Sequence, residues 1–170
     1  MKSWITLIFV FFATSVAFSQ KFVYVNTELI LESMPDYAEA QEELDKQSKK
    51  WQESIEAQFA EIESLYQAYK AEQILLTDEL KKKREKEITD KETAVRAYQK
   101  EKFGVNGELF TMRQKLIKPL QDKIYDALKN LATAGNYAII FDLASTSNIL
   151  YSHDRYDKTD EVIKKLGYSK

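Results

Sequence analysis

Cysteine is absent from the 170-residue chain. Its stability therefore owes nothing to disulfides, and zinc sites of the cysteine type are excluded. Glycine occurs four times and proline twice, which leaves little room for long loops. The single histidine, His153, sits in a polar stretch, Ser152-His153-Asp154-Arg155, where a solvated surface residue is expected rather than a catalyst. No glycine-rich phosphate loop, no His-Glu pair on a helix and no nucleophile elbow is present. Acidic residues abound, but on helices their ordinary role is a charged solvent face. Excess positive charge is missing too: the formal net charge is −2, which argues against a general nucleic-acid binder. Neither enzymatic chemistry nor a cofactor is expected.

A long apolar run occurs at the amino terminus. Met1–Ser19 has Lys2 as a positive n-region, an apolar stretch from Trp4 to Phe18, and small residues at Ala17 and Ser19. This reads as a secretory signal peptide cleaved before Gln20. The run is short for a membrane span, which needs about 20 residues. No cysteine follows it, so a lipoprotein anchor is not expected. Cleavage takes away only Lys2 among the charges and leaves the mature chain slightly more acidic. The expected organisation is a leader over 1–19 and one domain over 20–170.

Within that domain, residues 35–134 read as helix almost throughout, dense in Glu, Lys, Gln and Ala. Leu44, Trp51, Ile55, Phe59, Ile62, Tyr66 and Tyr69 form one stripe on a 3.5–3.6 period. Ile117, Leu120, Ile124, Leu128 and Leu131 form another. A single straight helix of that length would span roughly 150 Å. The pattern breaks at Ile74–Asp78, where Thr77 or Asp78 can cap a new helix with Asp78 and Glu79 in its first turn. The expectation is an antiparallel helical hairpin, a coiled-coil arm joined near Leu75–Asp78. One unbroken helix in a dimeric coiled coil is the alternative. In the returning arm Gly104 and Gly107 each cost about 1 kcal/mol relative to Ala, and Pro119 should kink the helix. Two readings stand: hinges, or a local break that makes room for a bulky neighbour from the other arm.

Residues 20–34 and 135–170 read as a small β body. Lys21–Asn26 is a β-branched and aromatic strand, and Asn26 can cap a short helix over Thr27–Glu32. Pro35 suits the first turn of the long helix. Gly135-Asn136 ends the helical stretch as a left-handed cap. Tyr137–Asp142 is a second strand, Ser145–Asn148 a turn, and Ile149–Tyr151 a third strand antiparallel to the second. Asp157 with Asp160 resembles a capping box that opens a last helix, stopped by Gly167. The fold class is thus α+β, a long antiparallel hairpin on a three-stranded body. Strands apolar on both faces cannot cover themselves, so the body is expected to oligomerise into a barrel-like core. Val23, Val25, Ile139, Phe141 and Ile149 are its candidate core residues.

Two further features point beyond packing. The arms carry Trp51, Phe59, Tyr66, Tyr69, Tyr98, Phe103 and Phe110, where coiled coils ordinarily prefer aliphatic residues. Aromatics offer adaptable contact area for partners without fixed shape, and all but Phe110 are taken as candidate client-binding residues. Lys81, Lys82, Lys83, Arg84 and Lys86 gather positive charge at the expected arm tip, a candidate contact for an anionic membrane surface or an acidic partner segment.

The order of strand, short helix, long hairpin, two strands and final helix behind a leader resembles the Skp (OmpH-like) family of periplasmic chaperones. The residues that carry it are Phe22-Val23-Tyr24-Val25-Asn26, Tyr137-Ala138-Ile139-Ile140-Phe141-Asp142 and Asp157–Lys165. The resemblance implies a periplasmic homotrimer whose strands form a central barrel, with three arms that hold unfolded outer-membrane proteins without ATP. Members are often markedly basic, whereas this chain is slightly acidic; that departure weakens the case for lipopolysaccharide binding. A non-catalytic coiled-coil scaffold or spacer of the cell envelope is the competing reading. An export-pump adaptor would need further β domains, and a prefoldin-like cytosolic holdase would have no leader.

Overall fold

The computed structural model describes residues 21–145 and 149–169; the expected leader and all but Ser145 of the expected turn lie outside them. The elements run β1 (Lys21–Val25), α1 (Thr27–Glu32), α2 (Pro35–Glu72), α3 (Asp78–Phe103), α4 (Glu108–Gly135), β2 (Tyr137–Asp142), a 3₁₀ turn (Asp154–Tyr156) and α5 (Thr159–Lys165). They divide into two compact units, one of residues Leu31–Lys123 and one of residues 21–30 with 124–169.

The first unit is a helical hairpin. α2 runs 38 residues without glycine, with Pro35 in its first turn, and ends where Gln73 N–H donates to the Tyr69 carbonyl at 2.8 Å. Thr77 Oγ1 then accepts from Leu80 N–H at 3.4 Å, and Asp78 and Glu79 place negative charge at the new amino terminus. The capping residues therefore end one helix and start the next, and the unbroken-helix alternative falls. Ile55 and Ile62 of α2 bury against Ile88 and Val95 of α3, and Leu65, Tyr69, Tyr98 and Phe103 pack around them. Ala40 and Leu44 bury with Ile117 of α4, flanked by Tyr37, Leu109, Met112 and Leu116. Ion pairs cross at Lys91–Glu61 (2.8 Å) and Lys123–Asp36 (3.5 Å). Partners ascend one arm as they descend the other, as antiparallel packing requires.

α2 is continuous, while the returning side is broken between Phe103 and Glu108. Gly104 N–H closes α3 on the Lys100 carbonyl at 2.8 Å and then turns extended, with ψ 170°. A Cβ at Gly107 would lie 2.7 Å from the Glu101 carbonyl oxygen, and one at Gly104 would collide with the Lys100 carbonyl. The glycines are thus required by α3's own backbone, which corrects the expectation of a bulky neighbour from the other arm. Helix α4 runs through Pro119 without interruption.

The second unit is built on a parallel pair. β1 and β2 align Phe22 with Ile139, Val23 with Ile140, Tyr24 with Phe141 and Val25 with Asp142. Parallel strands need a long crossover, and the helices between them supply it. On its other side β1 takes an isolated bridge from Tyr24 to Asp157, with Lys158 N–H donating to the Tyr24 carbonyl at 2.9 Å. The third strand expected over Ile149–Tyr151 does not form, and Leu150 and Tyr151 are exposed. Three residues on an uncovered edge bury too little apolar area to hold a strand. Among the described residues nothing pairs with the outer edge of β2. Asn26 caps α1 through Leu29 N–H (3.1 Å), and Asn136 takes the left-handed conformation (φ 50°) that closes α4. Asp157 Oδ1 accepts from Thr159 N–H (2.8 Å) and Thr159 Oγ1 (2.6 Å); α5 is capped at Leu166 and followed by Gly167 in the left-handed region, φ 86°. The cap therefore acts two residues on rather than as the Asp157–Asp160 box.

Asp142 ties this unit together. Its carboxylate accepts from Thr27 N–H (3.1 Å), Thr27 Oγ1 (2.7 Å), Ala144 N–H (3.0 Å) and Ser145 Oγ (3.0 Å). Burial alone would raise its pKa, but these donors outweigh it and hold the carboxyl below its ordinary value. A depressed carboxyl contributes stability in full above the unfolded Asp range, about 3.9, and loses it as pH falls through the lower folded value. Asp142→Asn is expected to cost about 1–2 kcal/mol at neutral pH. Its deficit should shrink below about pH 4 in urea-unfolding series.

Candidate functional surfaces

The aromatic residues of the arms separate into two groups. Trp51 is buried, and its ring meets Phe103 edge-on, with centroids 6.1 Å apart at 88°. Tyr69 donates its hydroxyl to Glu85 Oε1 at 2.5 Å, a contact that raises the phenol's pKa. Tyr69, Tyr98 and Phe103 all pack on the seam cluster. Trp51 is spent on the seam, and Tyr69, Tyr98 and Phe103, half-buried on it, keep only part of their surface open among the expected client-binding residues. Phe59 and Tyr66 differ: each lies near 40–45% exposed, seven residues apart along one flank of the seam. Lys70 Nζ sits 5.7 Å from the Tyr66 ring centroid. Phe110 in the first turn of α4 is exposed as well.

The break holds a group that periodicity does not single out. Lys102, on α3, is buried, with its ammonium 5.6 Å from the Trp51 centroid and 5.0 Å from that of Tyr98. It donates to Glu101 Oε1 at 2.8 Å and to Glu108 Oε1 on α4. Hydrogen bonds to the two carboxylates push the Lys102 pKa up, and the bond from Lys102 pulls that of Glu101 down. A single lysine in a charged helix carries no sequence signal; only the folded seam gives it two rings.

At the tip, Lys82, Lys83, Arg84 and Lys86 are exposed and Lys81 is partly buried. Three of the five have acidic neighbours on their own helix: Lys81–Asp78 (3.9 Å), Arg84–Glu87 (3.5 Å) and Lys86–Asp90 (2.6 Å). Ile74 and Leu75, in the turn, are nearly fully exposed, and Leu80 about half. The sequence break at Ile74–Asp78 marked the turn, but exposure of these apolar residues became visible only with the turn's geometry.

In the strand unit, Val23 and Val25 are buried in the chain's own core, together with Ile30, Leu131, Val162 and Ile163. They are therefore not free for a subunit contact, which corrects their assignment to an oligomer core. The opposite face is partly open: Tyr24 on it is buried, while Phe22, Ile139 and Phe141 are each 41–47% exposed, with the Phe22 and Phe141 rings 6.4 Å apart. Ile149 joins Phe22, Phe141, Tyr137, Tyr151 and Tyr156 in lining a groove of about 730 Å³ on this face. His153 is exposed, its Nδ1 accepting from Arg155 N–H at 3.3 Å. The Arg155 guanidinium stacks 4.4 Å from the Tyr156 centroid. No cluster of His, Cys, Asp or Glu that could hold a metal ion occurs among the described residues. No helix among them is long and apolar enough to cross a membrane.

No curated protein matches the chain. Among solved structures, one from Caulobacter crescentus CB15, assigned as an OmpH-like outer membrane chaperone, superposes with a TM-score of 0.66 at 11% identity. The match covers 86% of this chain and 83% of that one, and at such identity it establishes the fold alone. The profile of the outer membrane protein (OmpH-like) family matches residues 21–166, from the first residue of β1 to the end of the last helix. With that match spanning both strands, the hairpin and α5, the chain belongs to the OmpH-like family.

Proposed function

We propose that this chain is an ATP-independent periplasmic holdase that binds unfolded outer-membrane proteins against its helical arms as a homotrimer. The observation that carries the reading is the pair of exposed aromatics on α2, Phe59 and Tyr66, beside a seam that packs Trp51, Tyr69, Tyr98 and Phe103, with Phe110 of α4 exposed as well. A rigid seam with an apolar flank gives non-directional contact area, which suits clients without a fixed shape. Membership of a chaperone family and the fold shared with the Caulobacter crescentus protein support it. The open edge of β2 and the exposed Phe22, Ile139 and Phe141 supply the surface on which three copies would close a sheet. Release then needs no fuel, because a client that gains more by folding into the outer membrane leaves down its own gradient. The test is dilution of a urea-denatured outer-membrane β-barrel protein, followed by light scattering without nucleotide. Scattering no lower than with an inert control protein sinks the holdase and leaves the envelope scaffold in its place.

The tip adds a weak contact with an anionic membrane surface. Ile74 and Leu75 in the turn and Lys82 and Lys83 in the second turn of α3 are all exposed, a pairing of apolar insertion with charge attraction, worth about 1 kcal/mol per basic residue near such a surface. Co-sedimentation with phosphatidylglycerol vesicles is expected to exceed that with phosphatidylcholine and to fall in salt. Lys82→Glu/Lys83→Glu should abolish the difference, and equal sedimentation with both lipids would refute the contact.

A further inference from the structure

We propose that the Phe103–Glu108 break is a clasped joint in the returning arm, and that Lys102 is its clasp. The opposite helix, α2, is continuous past this point and acts as a strut, so any bend of the arm must be absorbed on the α3–α4 side. The linker is Gly104-Val105-Asn106-Gly107, with Val105 and Asn106 exposed; Gly104 N–H donates to Lys100, Gly107 N–H to Gly104, and the buried Gly107 accepts from Thr111 N–H and Oγ1. Its exposed middle makes few contacts and opens more easily than the helices it joins. Lys102 supplies what the linker lacks. Its ammonium reaches across the break to Glu108, the first residue of α4, while Glu101 holds it from its own helix. Trp51 on the strut and Tyr98 on α3 face it with their rings, and its side chain is only 11% exposed. One cation thus fastens all three helices: the strut through an aromatic face, α4 through a carboxylate, α3 through its own backbone.

The geometry serves bending better than stability alone. An aliphatic residue at this position would fill the slot between the rings but could not hold α4 to α3. Trp51 and Tyr98 shield the ammonium, while Glu101 and Glu108 stay about half exposed, so the clasp adds ring contact to a partly screened ion pair. When it opens, residues 103–108 loosen about Gly104 and Gly107 while the Ile55–Ile62–Ile88–Val95 seam and the Ala40–Leu44–Ile117 cluster stay closed. The joint therefore sets how freely the returning arm yields locally between those two packed stretches. This inference rests on the hairpin alone and stands whether or not the arms hold clients.

The test is hydrogen exchange of the full chain, read by mass spectrometry. Lys102→Met keeps the stem between the rings and removes the charge. Exchange over residues 103–108 is expected to rise severalfold, since a partly exposed ion pair with its ring contacts is worth roughly fivefold. Residues 44–62 of α2 should be unchanged, and Lys102→Arg, which keeps charge and ring contact, should restore most of the protection. If Lys102→Met raises exchange equally everywhere, the hairpin has loosened as a whole and Glu108→Gln decides. That variant removes only the contact across the break and should raise exchange at 103–108 severalfold. No local rise in Glu108→Gln, or in a folded Lys102→Met, overturns the clasp.

Discussion

Replacing Ile139 or Phe141 by Asp is expected to convert the proposed trimer to folded monomers. Both side chains are more than 40% exposed in the isolated chain, so a carboxylate there is solvated and the subunit keeps its helices. In a closed sheet of three copies the same carboxylate would be buried without a partner. That costs several kcal/mol per site, repeated in every subunit. At about 1.4 kcal/mol per tenfold, association should weaken by several orders of magnitude. Light scattering coupled to size exclusion should give three chain masses for the parent and one for the variant, with unchanged circular dichroism. Val25→Asp is the control for a different outcome. Val25 is buried within the chain, so that change should unfold the strand unit itself. A parent that is monomeric at micromolar concentration would end the barrel reading.

The second large effect concerns the arms. Phe59→Ala/Tyr66→Ala should impair suppression of client aggregation while leaving the hairpin intact. Each ring has on the order of 100 Å² still open to a client, which at about 25 cal/mol per Å² contributes roughly 2–3 kcal/mol per ring. The double variant should therefore need more than about tenfold higher concentration for the same reduction in scattering. ATP should make no difference. Moderate salt should weaken holding only slightly, because the chain's net charge is small and screening removes only the exposed ionic part. Trp51→Ala or Tyr98→Ala should behave differently and lower the melting temperature, since those rings pack the seam and face Lys102. Equal holding by the Phe59/Tyr66 variant and its parent would move the binding surface elsewhere.

Sequence alone determined the parts governed by local chemistry. Thr77, Asp78 and Glu79 cap a helix wherever they fall, so the hairpin turn was legible. Asn26 and Asn136 marked helix ends in the same way. The stripe through Leu44, Ile55 and Ile62 announced a packed face, because a 3.5–3.6 period fixes which side chains share one side of a helix. Only the tertiary structure decided how each aromatic is used. Phe59 and Tyr66 share a stripe with Trp51 and Tyr69, and the line along which α3 seats on that stripe divides the exposed from the more buried. That line is set by the partner helix rather than by α2. Val23 and Val25 likewise turn inward because β1 pairs in parallel with β2, more than a hundred residues away, a partner that no local pattern specifies. The third strand failed for the complementary reason: Ile149–Tyr151 has strand-forming residues but, within one chain, no covered edge to make them pay. Lys102 shows the limit most plainly, since an ordinary lysine in a charged helix becomes a buried cation only when α2 brings Trp51 and α4 brings Glu108.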